Sequence, residues 1–167
     1  LLWFCEREEG CHLVHAAAAA PAAGEGAWIV PAASGSGKTT MCRLLHAEGW
    51  LIAGDDLVVI RERKGELLVW GTAFSGDGAD VPKSLGPYPL AGWILPAKGP
   101  RHLASPASQA GVAAALAAAA QRPPWAKNDG ERARLERATR WAGQAPGWNL
   151  AFARAAGLGQ YIETFRK

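Results

Sequence analysis

The chain reads as an α/β domain: a mixed β-sheet arranged around one strand, a Gly-rich loop and a helix, with a helical C-terminal part. Three observations predict this. Trp28-Ile29-Val30 is a short apolar run with Gly26 before it and Pro31 after it, the pattern of a buried strand. The string Ala32-Ala33-Ser34-Gly35-Ser36-Gly37-Lys38-Thr39-Thr40 comes next and leads into a helical pattern. A second apolar run, Trp50 to Ala53, begins soon after the helix and ends in Gly54-Asp55-Asp56.

Leu13-Val14-His15-Ala16 reads as a strand despite the alanines that come after it. Lys38 to Glu48 is a helix with Met41, Leu44, Leu45 and Ala47 on its apolar side, and Gly49 stops it. Leu57 to Ile60 and Glu66 to Trp70 flank the polar turn Arg61-Glu62-Arg63-Lys64-Gly65 and pair as a hairpin. Residues 71–100 are rich in Gly and Pro and read as loops around one strand, Gly92 to Leu95. Ser105-Pro106 looks like an N-cap with proline at the first helical position, opening a helix to about Ala120. Asn128-Asp129 caps another, with Leu135, Ala138 and Trp141 on one side. The segment from Leu150 reads as helical too.

Composition narrows the function classes. The 167 residues are 49% apolar and 20% charged, a globular balance that can bury a core as one domain, residues 1–167, without disulfides. The net charge is +3 and the cations are spread out rather than striped, so no nucleic-acid partner is expected. Of 35 alanines, twelve sit in two patches, Ala16–Ala20 and Ala113–Ala120. Neither reaches the run of about 18 apolar residues that a membrane span needs. Three cysteines, Cys5, Cys11 and Cys42, give an odd count and no C-x-x-C pair, which reads as reduced thiols in a cytoplasmic protein. Cys5, Cys11, His12 and His15 match no standard zinc spacing. The chain begins with Leu1 rather than Met, so it reads as a piece of a longer one.

The Gly-rich string carries chemistry. The phosphate-binding pattern, or P-loop, is G-x-x-x-x-G-K-[ST]. Here Gly37-Lys38-Thr39 is intact and Ala32 stands at the first glycine. Backbone N–H groups from Ser34 to Lys38 can point inward around phosphate oxygens, helped by the start of the helix. Gly35 and Gly37 permit the turn, Lys38 reaches the outer phosphates, and the Thr39 hydroxyl is a ligand for Mg²⁺. A strand before the string and a helix after it supply the context that a bare linker sequence lacks. If the strand ending at Asp55-Asp56 lies parallel to and beside the first, both carboxylates face the same crevice as the loop. One could then hold Mg²⁺ and the other accept a proton from a hydroxyl. An arginine for the transferring group is expected, without a residue assigned.

Taken together, Leu13-Val14-His15-Ala16-Ala17, Ser34-Gly35-Ser36-Gly37-Lys38-Thr39-Thr40 and Gly49-Trp50-Leu51-Ile52-Ala53-Gly54-Asp55-Asp56 resemble the catalytic domain of the HPr kinase/phosphorylase family. That family is related in fold to ATP-dependent phosphoenolpyruvate carboxykinases. The resemblance covers about the first half of the chain. Gly71-Thr72-Ala73-Phe74-Ser75-Gly76-Asp77 looks like the short HPr-kinase-like proteins. The resemblance implies a P-loop domain of the HPr kinase/PEP carboxykinase type that uses ATP and Mg²⁺ to phosphorylate a serine hydroxyl of a protein or peptide. It implies ATP binding by residues Ser34 to Thr40, catalysis by Lys38, His15 and Asp55, with Asp55 as base, and Mg²⁺ held by Thr39 and Asp56. The segment that shapes the family's HPr-binding and phosphorylase surfaces is not recognisable, so HPr as acceptor and the reverse reaction are not implied. A nucleotide-binding module without catalysis and a small-molecule kinase are the alternatives, and self-association is left open.

Overall fold

The computed structural model describes residues 11–22, 24–121 and 130–166. Eight strands and four α-helices run along it: β1 (Cys11–Ala20), β2 (Ala27–Pro31), α1 (Lys38–Ala47), β3 (Leu51–Gly54), β4 (Leu57–Arg63), β5 (Glu66–Gly71), β6 (Tyr88–Lys98), β7 (Leu103–Pro106), α2 (Gln109–Ala119), α3 (Gly130–Ala142), β8 (Gly147–Phe152) and α4 (Leu158–Glu163). Two long strands, β1 and β6, are each shared between two sheets. The first half of β1 pairs with β4, β4 with β5, and β5 with the start of β6, all antiparallel. The second half of β1 sits between β2 and β3, and β2 continues through β6 and β8 to β7. That second sheet is mixed: β2, β6 and β8 run parallel, while β1 and β7 run against them.

Each strand is built as its neighbours require. β2 is buried at all five positions, which suits a continuous apolar run inside a parallel pair. β1 extends well past the expected Leu13–Ala16, through all five alanines. Alanine favours helix in isolation, but tertiary context overrides it here. Ala16, Ala18 and Ala20 face a core shared with α2 and α3, and Ala17 and Ala19 face a core shared with α1 and α4. Small side chains let the strand be covered on both faces. Across the α1 face, Glu48 ties two helices together. Its carboxylate accepts from the N–H groups of Gly157, Leu158 and Gly159 at 2.9–3.0 Å, a negative charge on the start of α4.

Four expectations change. β3 does not lie beside β2; β1 runs between them, antiparallel to both. β2 and β3 still point the same way, so their C-terminal ends share an edge. Ser105-Pro106 is not a helix cap but the end of β7, paired to β8. The cap is Ser108, whose hydroxyl accepts from the Gly111 N–H at 3.1 Å. The segment from Leu150 is first a strand, because Leu150 and Phe152 continue β8 into the core, and only from Leu158 a helix. The strand around Gly92–Leu95 is longer than expected, running from Tyr88 to Lys98. Asn128-Asp129, the expected cap of α3, lies outside the described residues. So does Cys5, and among the described residues no group of three His, Cys, Asp or Glu side chains is placed to hold a metal.

Candidate functional site

In an open α/β sheet, ligands bind at the C-terminal ends of parallel strands. Here the ends of β3, β2, β6 and β8 lie along one such edge, set by the pairing of Ala16 with Pro31, Ala18 with Gly54, Ile29 with Trp93, and Lys98 with Phe152. Each of these strand ends delivers chemically able groups to the edge. Asp55 and Asp56 come directly after β3, the Gly-rich loop after β2, Lys98 closes β6, and Arg154 lies just beyond β8. His15 enters from β1, opposite Leu57. A cleft of about 330 Å³ opens there, lined by His15, Ser34, Gly35, Gly37, Lys38, Thr39, Thr40, Asp55, Asp56, Lys98 and Arg154, with Gly76 and Asp77 at its side.

The Gly-rich loop has the backbone its glycines allow. Gly35 has φ +78 and Gly37 φ +104, both in the left-handed region that L side chains avoid. Gly37 is the residue before the first turn of α1 and has no side chain to cap it. The first N–H groups of α1 therefore face the cleft without a side-chain acceptor from Gly37. Lys38 is buried, and its ammonium donates to the carbonyls of Ala32 and Ala33 at 2.7 and 3.0 Å. Burial lowers its pKa, against the pull of Asp56, Cys42 and Asp55. Of the seven loop residues expected to bind nucleotide, Ser36 alone does not line the cleft. Its Oγ is buried and has no hydrogen-bond partner among the described residues.

The two carboxylates have different surroundings. Asp56 is nearly half exposed and faces the cleft, with Oδ1 3.1 Å from His15 Nε2. Asp55 is fully buried, with one oxygen hydrogen-bonded and the other ion-paired without a hydrogen bond. Oδ2 accepts from the Gly78 N–H at 2.9 Å, and Oδ1 lies 2.9 Å from Lys83 Nζ. Lys83 also donates to the Gly78 carbonyl at 2.9 Å. Gly78 is needed for this approach, since a Cβ there would sit 2.2 Å from Asp55 Oδ2. The same segment is latched to α1, where Arg43 donates to Asp80 through Nε and Nη2 at 3.0 and 2.8 Å and to the Asp77 carbonyl at 2.7 Å. That pair holds the Asp80 carboxyl below the usual aspartate range. Cys42, on α1 beneath the acid pair, is inert as a nucleophile because burial pushes its thiol up to about 12.

The structure thus brings every expected site residue except Ser36 into one cleft. It adds two lining residues that the sequence did not suggest, Lys98 and Arg154, and two that hold Asp55 without lining the cleft, Gly78 and Lys83. Gly78 and Lys83 come from the loop-rich stretch, where nothing but proximity in space links them to Asp55. Lys98 and Arg154 make no side-chain hydrogen bond or ion pair among the described residues and carry no motif. Their signal is positional: each lies at the end of a strand parallel to β2.

The residues fit a nucleotide polyphosphate with a divalent cation on this structure's own terms. A cradle of glycines, the start of α1 and a lysine at the loop suit phosphate oxygens. Thr39 and Asp56 offer hard oxygen donors, too few for an all-protein cage, which matches the way Mg²⁺ is shared between protein and phosphates.

No protein-family model and no curated protein matches this chain. Among solved structures, the HPr(Ser) kinase/phosphatase from Coxiella burnetii is similar in fold, with a TM-score of 0.50 at 12% identity, covering 91% of this chain and 86% of that one. The mixed α/β architecture is therefore one that an HPr kinase also uses.

Proposed function

We propose that this chain binds ATP with Mg²⁺ and transfers the terminal phosphoryl group to a serine-type hydroxyl of a protein or peptide. The observation that carries the reading is convergence: the Gly-rich loop with Lys38, the Asp55-Asp56 pair and His15 meet in one cleft although three different strands supply them. The loop N–H groups and Lys38 hold and neutralise the polyphosphate. Thr39 and Asp56 would hold Mg²⁺, which when bound supplies charge neutralisation at the transferring phosphate. Asp55 accepts the proton as the hydroxyl oxygen bonds to phosphorus and the bond to the departing ADP oxygen breaks. Its Oδ1, which has Lys83 Nζ beside it but no hydrogen bond, is the oxygen placed to take that proton. His15 orients Asp56 across their 3.1 Å contact.

A second reading has one observation behind it. Asp55 is already paired with Lys83 and hydrogen-bonded by the Gly78 N–H before any ligand is bound, which suits a nucleotide-binding module that does no chemistry. Incubation with Mg²⁺, γ-labelled ATP and a serine-containing peptide library separates the two. The kinase reading expects phosphoserine by mass spectrometry. Asp55→Asn then lowers transfer by about 10²–10⁴-fold with ATP still bound, and Lys38→Ala loses ATP affinity as well. Tight binding with no labelled acceptor supports the module, and label on free amino acids or sugars supports a small-molecule kinase.

A further inference from the structure

The cleft does not end at Arg154. It continues into a second pocket of about 220 Å³, lined by Gly37, Thr40, Lys98, Gly99, Phe152 and Arg154. Four of these residues also line the cleft. Gly37 and Thr40 lie one turn apart at the start of α1. Phe152 forms the floor: it is buried, and its ring edge reaches the loop, since a Cβ on Gly37 would lie 3.0 Å from its Cζ. β6 and β8 hold the wall in register, with Lys98 opposite Phe152 and the Gly99 N–H donating to the Phe152 carbonyl at 3.0 Å. Lys98 and Arg154 stand exposed at the rim.

Order along the sheet edge assigns direction. The acids and His15 lie on one side of the Gly-rich loop, by β3 and β1. Lys98 and Arg154 lie on the other, by β6 and β8. A polyphosphate seated on the loop must turn its reacting end toward the acids. Its other end then points toward β6 and β8.

We propose that the pocket between Phe152, Lys98 and Arg154 takes the nucleoside of the phosphoryl donor; this rests on the nucleotide-binding reading above. The base lies against the Arg154 guanidinium, a planar cation that stacks on aromatic rings. Lys98 neutralises the phosphate next to the sugar, and the Phe152 ring closes the apolar floor. The acceptor hydroxyl is left to approach from the opposite, acid side.

The test measures binding by calorimetry, with Mg-ATP and Mg-tripolyphosphate as probes of the full chain. The wild type should bind ATP about tenfold more tightly than tripolyphosphate, the size of one stacked base. Arg154→Ala should remove that advantage, lowering ATP affinity about tenfold more than tripolyphosphate affinity. Arg154 is exposed, and an unchanged melting temperature shows that the variant folds. Equal affinity of the wild type for the two probes overturns the proposal, as does an equal loss of both in Arg154→Ala; in either case nucleotide binding itself stands. If neither probe binds the wild type, the nucleotide reading fails first, and the pocket's assignment falls with it.

Discussion

The two halves of the cleft are built on opposite plans. On the β3 side, Asp55 is buried, held by Gly78 and Lys83, and the segment that holds it is latched to α1 by Arg43. On the β8 side, Lys98 and Arg154 stand exposed, without side-chain partners among the described residues. Groups that must sit at one geometry for a bond to change hands are better fixed before the ligand arrives. Groups that only greet a flexible ligand tolerate freedom. The braced half is also the half whose parts depend on one another.

The largest test of that contrast is Lys83→Met. It leaves Asp55 as an unpaired buried charge, which costs about 3–5 kcal/mol. Urea denaturation should show this loss, and adding Asp55→Asn should restore much of it. Arg154→Ala should change stability by no more than about 0.5 kcal/mol. A similar cost at both positions would erase the distinction.

Next in size is Gly78→Ala. Its Cβ has no room beside Asp55 Oδ2, so the 76–83 segment must shift, at about 1–3 kcal/mol. A thermal melt reads this directly, and a neutral result would mean that the segment sits loosely.

The smallest effect concerns the latch. Asp80 has its carboxyl held low, first by its hydrogen bond from Arg43. A carboxyl depressed in the folded state contributes stability above its unfolded value, about 3.9, and loses it as pH falls through the lower folded value. Protection of amides 76–81 against hydrogen exchange, taken relative to the intrinsic rate at each pH, should therefore fall only below the usual aspartate range, and Asp80→Asn should show the lower protection already at neutral pH. Exchange that never depends on Asp80 would remove Arg43 from the bracing.

Much of the braced half was legible in the sequence, and little of the open half was. The Gly-rich loop stands out because its backbone demands glycine at fixed positions, Gly35 and Gly37, with Lys38 beside them. Asp55 and Asp56 are conspicuous because they end the next strand. Lys83 could not be found this way. It reaches Asp55 through a loop whose path no local pattern encodes. Arg154 was hidden by a misread element, because the alanine-rich stretch around it looks helical while Trp148, Leu150 and Phe152 keep the two-residue period of β8. Ser105-Pro106 misled for a related reason: serine before proline suits a helix start, but pairing with β8 outweighs that local preference.

The alanine strand has one more consequence. Where most central strands are cushioned on each face by side chains that can change rotamer, β1 offers single methyl groups from Ala16 to Ala20. The spine between the two helical layers is therefore thin and unyielding. Crowding introduced behind it, on the α2 face, has no slack to disappear into, and is delivered to His15 at its start and to the helix carrying Lys38 in front of it.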